Sequence, residues 1–192
     1  MTNYPSLERR VEAGFTLLEV MIAGIIMIIG VLSLAVMLAM GMAYMGAAQL
    51  DYIAQEKAAE AVESVFTARD MGQATWSMIC NVGSSVCSNG IFVNGSTALC
   101  DPGPDGIVGT ADDYSGTTCA VAADAILLPN GSTINNVTNT RVPLSTFNFQ
   151  RSITITAYSG MLNVRQITVV ITYQYGHFNR SYTLTTNISN FS

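Results

Sequence analysis

The chain has 192 residues, of which 49% are hydrophobic and only 11% charged, and its net charge is −5. No basic cluster interrupts that acidic balance, so the charge pattern offers nothing to a nucleic-acid backbone. The apolar excess is concentrated near the N-terminus, and the length suits one domain with an appendage.

Residues 1–14 are short and polar, with Arg9 and Arg10 ahead of Ala13-Gly14. From Val20 to Leu50 the chain contains no Asp, Glu, Lys, Arg or His. As a helix that run spans roughly 46 Å, against about 30 Å for a hydrocarbon core. A secretory signal has a shorter apolar core with its small-residue cleavage site behind it. Here the small pair lies ahead of the run, so a cut after Gly14 keeps the run in the mature chain. Glu19 stands at its head, where a carboxylate in lipid costs roughly 2–4 kcal/mol. Cutting after Gly14 leaves a free α-amine on Phe15, four residues from Glu19 and on the same side of a helix. Glu19 can pair with that amine or with the amine of a neighbouring copy staggered along the axis. The pair then sets the register of packing.

The helical pattern continues beyond the apolar run. In residues 49–70, Leu50, Ile53, Ala54, Ala58, Ala61, Val62 and Val65 recur at helical spacing, and Glu56, Glu60 and Glu63 line another side. No proline occurs between Pro5 and Pro102. These features predict one helix from about Phe15 to about Asp70, roughly 85 Å long, apolar all round in its first half and amphipathic in its second. Gly72 is the expected stop.

Residues 72–146 are rich in Gly, Ser, Thr and Asn, with short apolar pieces such as Ile91-Phe92-Val93 and Ala125-Ile126-Leu127-Leu128. They read as a loop-dominated region. All four cysteines (Cys80, Cys87, Cys100 and Cys119) fall in it, without a CxxC and with His177 as the sole histidine. That favours disulfides and an oxidising compartment over zinc. Three pairings are open; Cys80–Cys87 and Cys100–Cys119 close short loops and are preferred. Between the last two lies an Asp-rich stretch. Against the calcium-loop pattern Asp101 takes the first position, Asp105 the fifth, Gly106 the turn, Ile107 the main-chain oxygen and Asp112 the twelfth, with Asp113 as an extra carboxylate. Gly103 occupies a position where a ligand is usual. Ca²⁺ is the cofactor these oxygens would hold; a solvated Gly-Pro-Asp-Gly turn is the plainer reading.

The last segment changes period. Phe147, Phe149, Ile153, Ile155 and Ala157 alternate with polar residues, as do Ile167, Val169, Ile171, Tyr173 and Tyr175, and then Tyr182, Leu184 and Ile188. Alternation of two means one buried and one wet face. Turns are expected at Ser159-Gly160 and at residues 176–179, where His177 is a surface residue. The whole is α+β: a long N-terminal helix whose second half covers a small C-terminal antiparallel sheet. Its divisions are residues 1–14, 15–50 and 51–192, the last comprising the end of the helix, the variable loops of 72–146 and the sheet of 147–192.

Gly14-Phe15-Thr16-Leu17-Leu18-Glu19 followed by the uncharged run resembles the cleavage and assembly motif of type IV prepilins and type II secretion pseudopilins. The resemblance is good over residues 8–70 and extends in outline to the order of helix, variable middle and sheet. It implies a prepilin peptidase that cuts between Gly14 and Phe15 and methylates the Phe15 amine. It implies helices packed in a filament core with Glu19 near a Phe15 amine, copies of this chain or other pilins as partners, and assembly machinery in the inner membrane. The chain would wait in that membrane with its head in the periplasm, then join an extracellular pilus or a periplasmic pseudopilus. Many major pilins carry a kinking proline in the apolar segment; this chain has none, and it is more similar to minor pilins. Major pseudopilins with an analogous calcium loop are known. A pseudopilin, or a membrane-anchored binding module that never polymerises, is the alternative. No nucleophile elbow, P-loop, HExxH or dinucleotide fingerprint points to an enzyme.

Overall fold

The computed structural model describes residues 14–116, 118–127 and 141–190. Residues 1–13 and Leu128 lie outside them. The chain divides into two compact units, one ending at Tyr44 and one from Met45 to Ser192. One helix, α1, runs Leu17–Asp70. Its residues 45–50 belong to the head, six more than the expected boundary, because Ala47 and Leu50 are buried in the head's core.

In the head, α1 buries Ala47, Leu50, Ile53, Ala54, Ala58, Ala61, Val65 and Ala68, while Glu56, Glu60 and Glu63 stay exposed. The alanines carry little side chain, so the helix can approach its neighbours closely. Gly72, at φ +73°, ends it, and the Ala74 N–H closes onto the Ala68 carbonyl.

The main sheet has the order β1-β6-β7-β8, from Thr97–Ala98, Gln150–Ala157, Val164–Tyr175 and Phe178–Ser189, every pair antiparallel. Two small ribbons pair β2 (Tyr114–Ser115) with β3 (Thr118–Cys119), and β4 (Ala125–Leu127) with β5 (Arg141–Pro143). Ile153, Ile155, Ile167, Val169, Ile171 and Ile188 join the stripe of α1 in one core. Each large side chain buried there contributes roughly 1.5–3 kcal/mol. The arrangement is α+β, a long N-terminal helix packed on a C-terminal antiparallel sheet.

Three details differ from the sequence pattern. Residues 147–149 are not strand. A short 3₁₀ turn at Leu144–Phe147 ends on Asn148 at φ 53°, which buries both Phe147 and Phe149 from either side of a bend. Ala157 is exposed. The β7–β8 connection is two residues, Gly176-His177, since Phe178 already pairs with Tyr175. Only the first of the two has positive φ, at 60°, as a type II′ turn requires.

Disulfides join Cys80 to Cys87 and Cys100 to Cys119. By loop length they restrict the unfolded chain by about 2.5 and about 3 kcal/mol respectively. Asn81, beside the first bridge, has an unexpected part. Its Nδ2 donates to the Ile153 carbonyl at 2.7 Å, and its Oδ1 accepts from the Ile155 N–H at 2.8 Å. A single buried amide thus pairs with the edge of β6 that β7 does not use, where β1 spans only two residues. Asn81→Leu leaves both main-chain groups without a partner. The expected cost is about 2–4 kcal/mol, read as a lower urea midpoint and faster hydrogen exchange at the Ile155 amide. Unchanged exchange there would refute the edge role.

Candidate functional site

Two places hold the residues singled out from the sequence. The first is the N-terminal helix. Thr16 caps it: the Glu19 N–H donates to the Thr16 hydroxyl at 3.3 Å and to its carbonyl at 3.0 Å. Glu19 therefore lies in the first turn, where the unpaired N–H groups favour a negative charge. Its carboxylate is exposed and has no ion pair among the described residues. Gly14 and Phe15 precede the helix, Phe15 being 82% exposed. Every residue from Gly14 to Tyr44 is exposed, so Leu17–Tyr44 is about 42 Å of helix that buries none of its side chains among the described residues. The segment is long and apolar enough to cross a bilayer. The Ser33 hydroxyl donates to the Ile29 carbonyl at 2.8 Å, so even its polar group is satisfied within the helix. A surface of this size is not stable in water; it needs lipid, other helices, or both.

The second place is the acidic loop enclosed by Cys100–Cys119. Ligand oxygens of Asp105, Asp112 and Asp113 lie within 4.8 Å of one another. Asp101 is not in this group; its Oδ2 lies 3.6 Å from Arg141 Nη2. The Ile107 carbonyl accepts the Thr110 hydroxyl at 3.0 Å. Of the five expected ligands the structure brings three carboxylates together and turns Asp101 toward Arg141.

The loop also supplies its own donors. Asp113, fully buried, accepts the Gly103 and Gly109 N–H groups, each at 2.6 Å. Asp112 accepts the Thr110 hydroxyl at 2.5 Å and the Asp105 N–H at 3.2 Å. Asp105 Oδ1 accepts the Ile107 N–H at 2.8 Å, an Asx turn around Gly106. A side chain at 103 would collide with the Asp112 carboxylate, which explains the glycine where a ligand was expected. Burial pushes the Asp113 carboxyl up, against the N–H bonds from Gly109 and Gly103 and the positive charge of Arg151. Burial acts the same way on Asp112, but the bonds from Thr110 and the Asp105 main chain outweigh it and hold that carboxyl below its ordinary value.

Sequence reasoning missed three side chains, Asn81, Arg151 and Arg165. Arg151 and Arg165 stand on the apolar face of the sheet, in register with Ile171 and Ile188. Arg151 is 1% exposed, and its guanidinium nitrogens have no hydrogen-bond partner among the described residues. It acts on the loop as a fixed charge near Asp113. Arg165 donates to the carbonyls of Trp76, Ile79 (2.7 Å) and Val86 (3.5 Å) and lies over the Trp76 ring at 4.1 Å. It ties the Cys80–Cys87 loop to the sheet. The only signal for either arginine was a charge at an apolar position of an alternating strand.

No family model, curated protein or solved structure matches the chain.

Proposed function

We propose that the chain is a structural subunit of a type IV pilus or related filament. It matures by cleavage between Gly14 and Phe15 and methylation of Phe15, then assembles through its N-terminal helix with copies of itself or other pilins. A minor pilin is favoured over a major one by the proline-free helix. The observation that carries the reading is the bare apolar segment Leu17–Tyr44 with a single carboxylate, Glu19, in its first turn. A membrane anchor alone has no use for that carboxylate and would be cheaper without it. A packed assembly uses it as a register mark. A pseudopilin shares every one of these features, and the two differ in where the filament lies.

The expected result is recovery of the chain in sheared or purified filaments with Phe15 as its first residue, read by intact mass. A chain confined to the membrane fraction, or assembled with residues 1–14 retained, would overturn the reading. The membrane-anchored module is the outcome in which cleavage fails and no filament contains the chain.

The acidic loop is proposed as a Ca²⁺ site on Asp105, Asp112 and Asp113, a reading favoured by three carboxylates converging within 4.8 Å. Metal charge would relieve their repulsion, which Arg151 offsets on one side only. Calcium at 100-fold excess over its dissociation constant should add about 2.7 kcal/mol, or about 5–10 °C in melting midpoint. Asp105→Asn keeps the acceptor for the Ile107 N–H and should abolish the shift. Identical midpoints with calcium and with chelator, disulfides intact, would leave only a turn organised by its own donors.

A further inference from the structure

The face of the β6–β7–β8 sheet turned away from α1 carries no charged residue. Gln150, Thr172 and Ser181 form one rank across the three strands, and Thr154, Thr168 and Thr185 form another. Of all positions on that face only Val164 and Val170 lack a hydroxyl or an amide. Ranks of this kind repeat at about 6.6–6.8 Å along the strands and about 4.8 Å across them. Apart from a 3.5 Å contact between Thr168 and Thr185 and the Ser96 hydroxyl on Gln150, no side chain on the face is hydrogen-bonded among the described residues.

At its Gln150 end the face opens into a cavity of about 410 Å³, a size that suits a small ligand. Asn148, Gln150, Thr172, Tyr173, Asn179 and Ser181 line it, with Arg180. Asn148 is held there by its left-handed backbone, at φ 53°. Gln150 accepts from Ser96 at 2.9 Å, which leaves its NH₂ free to donate. The side chains of Asn148, Thr172, Asn179 and Ser181 have no hydrogen-bond partner among the described residues. Arg180 brings no spare charge, because its Nη1 lies 3.0 Å from Asp51 Oδ2.

The chemistry of this lining selects its ligand. Phosphate or carboxylate groups need an unpaired cation, and none lines the cavity. An apolar ligand needs walls free of polar groups, whereas every residue of this lining carries an amide, a hydroxyl or a guanidinium. Amides and hydroxyls each donate and accept, which matches the vicinal hydroxyls of an uncharged sugar. We propose that the cavity and the adjoining ranks bind a neutral oligosaccharide, one terminal sugar in the cavity and the following sugars along the sheet face. The site requires only the folded head and does not depend on assembly.

The test uses the full chain in a zwitterionic detergent, since sugar-headed detergents would compete. Cellotetraose, maltotetraose and tetra-N-acetylchitotetraose are the neutral probes, and trigalacturonate is the anionic contrast. Titration calorimetry and saturation-transfer NMR should show saturable binding of at least one neutral probe and none of trigalacturonate. The double variant Thr172→Val, Ser181→Ala removes two hydroxyls from exposed or half-buried positions and should keep the melting midpoint. It should weaken binding at least about tenfold, as loss of two hydrogen bonds near 1 kcal/mol each implies. Thr67→Val, on the exposed side of α1, should bind as the parent does. Failure of all three neutral probes, equal binding by the double variant, preference for the anionic sugar, or occupation of this face by a second copy would each overturn the assignment.

Discussion

Glu19→Ala should remove the chain from filaments while leaving it fully inserted in the membrane. Alanine lowers the cost of placing the segment in lipid, because the carboxylate penalty of roughly 2–4 kcal/mol disappears. Loss of assembly therefore cannot be ascribed to failed insertion. What disappears, on the proposed filament reading, is the partner of the Phe15 amine. In such a helix bundle that amine would find no other carboxylate, since residues 20–50 carry no charge. Breaking one side of such a pair costs about 3–5 kcal/mol, more than a hundredfold in incorporation per contact. Immunoblots of sheared filaments against the membrane fraction measure the ratio. Normal incorporation of the alanine variant would sink the pairing, and with it the main argument for a filament over a simple anchor.

Arg165→Met should be the most damaging single change in the sheet. The guanidinium serves the carbonyls of Trp76, Ile79 and Val86 and covers the Trp76 ring, yet has no carboxylate partner among the described residues. Its burial lowers the pKa, so the fold carries a real desolvation cost for the cation. Methionine removes that cost and fills similar volume. It also strands the buried carbonyl of Ile79 and the part-buried one of Trp76, whose bonds to a charged donor are each worth about 1.5–3 kcal/mol. The second effect is larger, and the net loss should be about 3–5 kcal/mol. Arg165→Lys keeps the charge but not the fork, and should fall between. The urea midpoint with both disulfides intact is the measurement. A midpoint within error of the parent for Arg165→Met would show that the Cys80–Cys87 loop is held by its disulfide and local bonds alone.

The elements that local periodicity could reveal were legible in the chain. An uncharged, proline-free run leading into an amphipathic stripe is enough to specify α1 as far as Asp70, because each signal sits within a few residues of the next. The alternation of residues 164–175 marks β7 for the same reason, and pairing on both sides follows from the turns beside it. Those features determine the α+β class and the presence of an exposed apolar helix.

Tertiary structure decided what depends on distant groups meeting. Arg151 and Arg165 break the apolar pattern of their strands, and only the fold shows that one lies near Asp113 and the other clamps three carbonyls more than 75 residues away. Asn81 reads as an ordinary loop residue until β6 presents an unpaired edge to it. In the acidic loop, spacing alone puts Asp101 first among the ligands. The path of the chain turns it toward Arg141, while Asp113, the extra carboxylate of the pattern, is buried where two glycine N–H groups donate to it. Sequence periodicity determined where helix and strands run, since it records which side of each element is apolar. Burial, edge pairing and the grouping of charges were settled only when those elements packed, since each depends on what lies opposite.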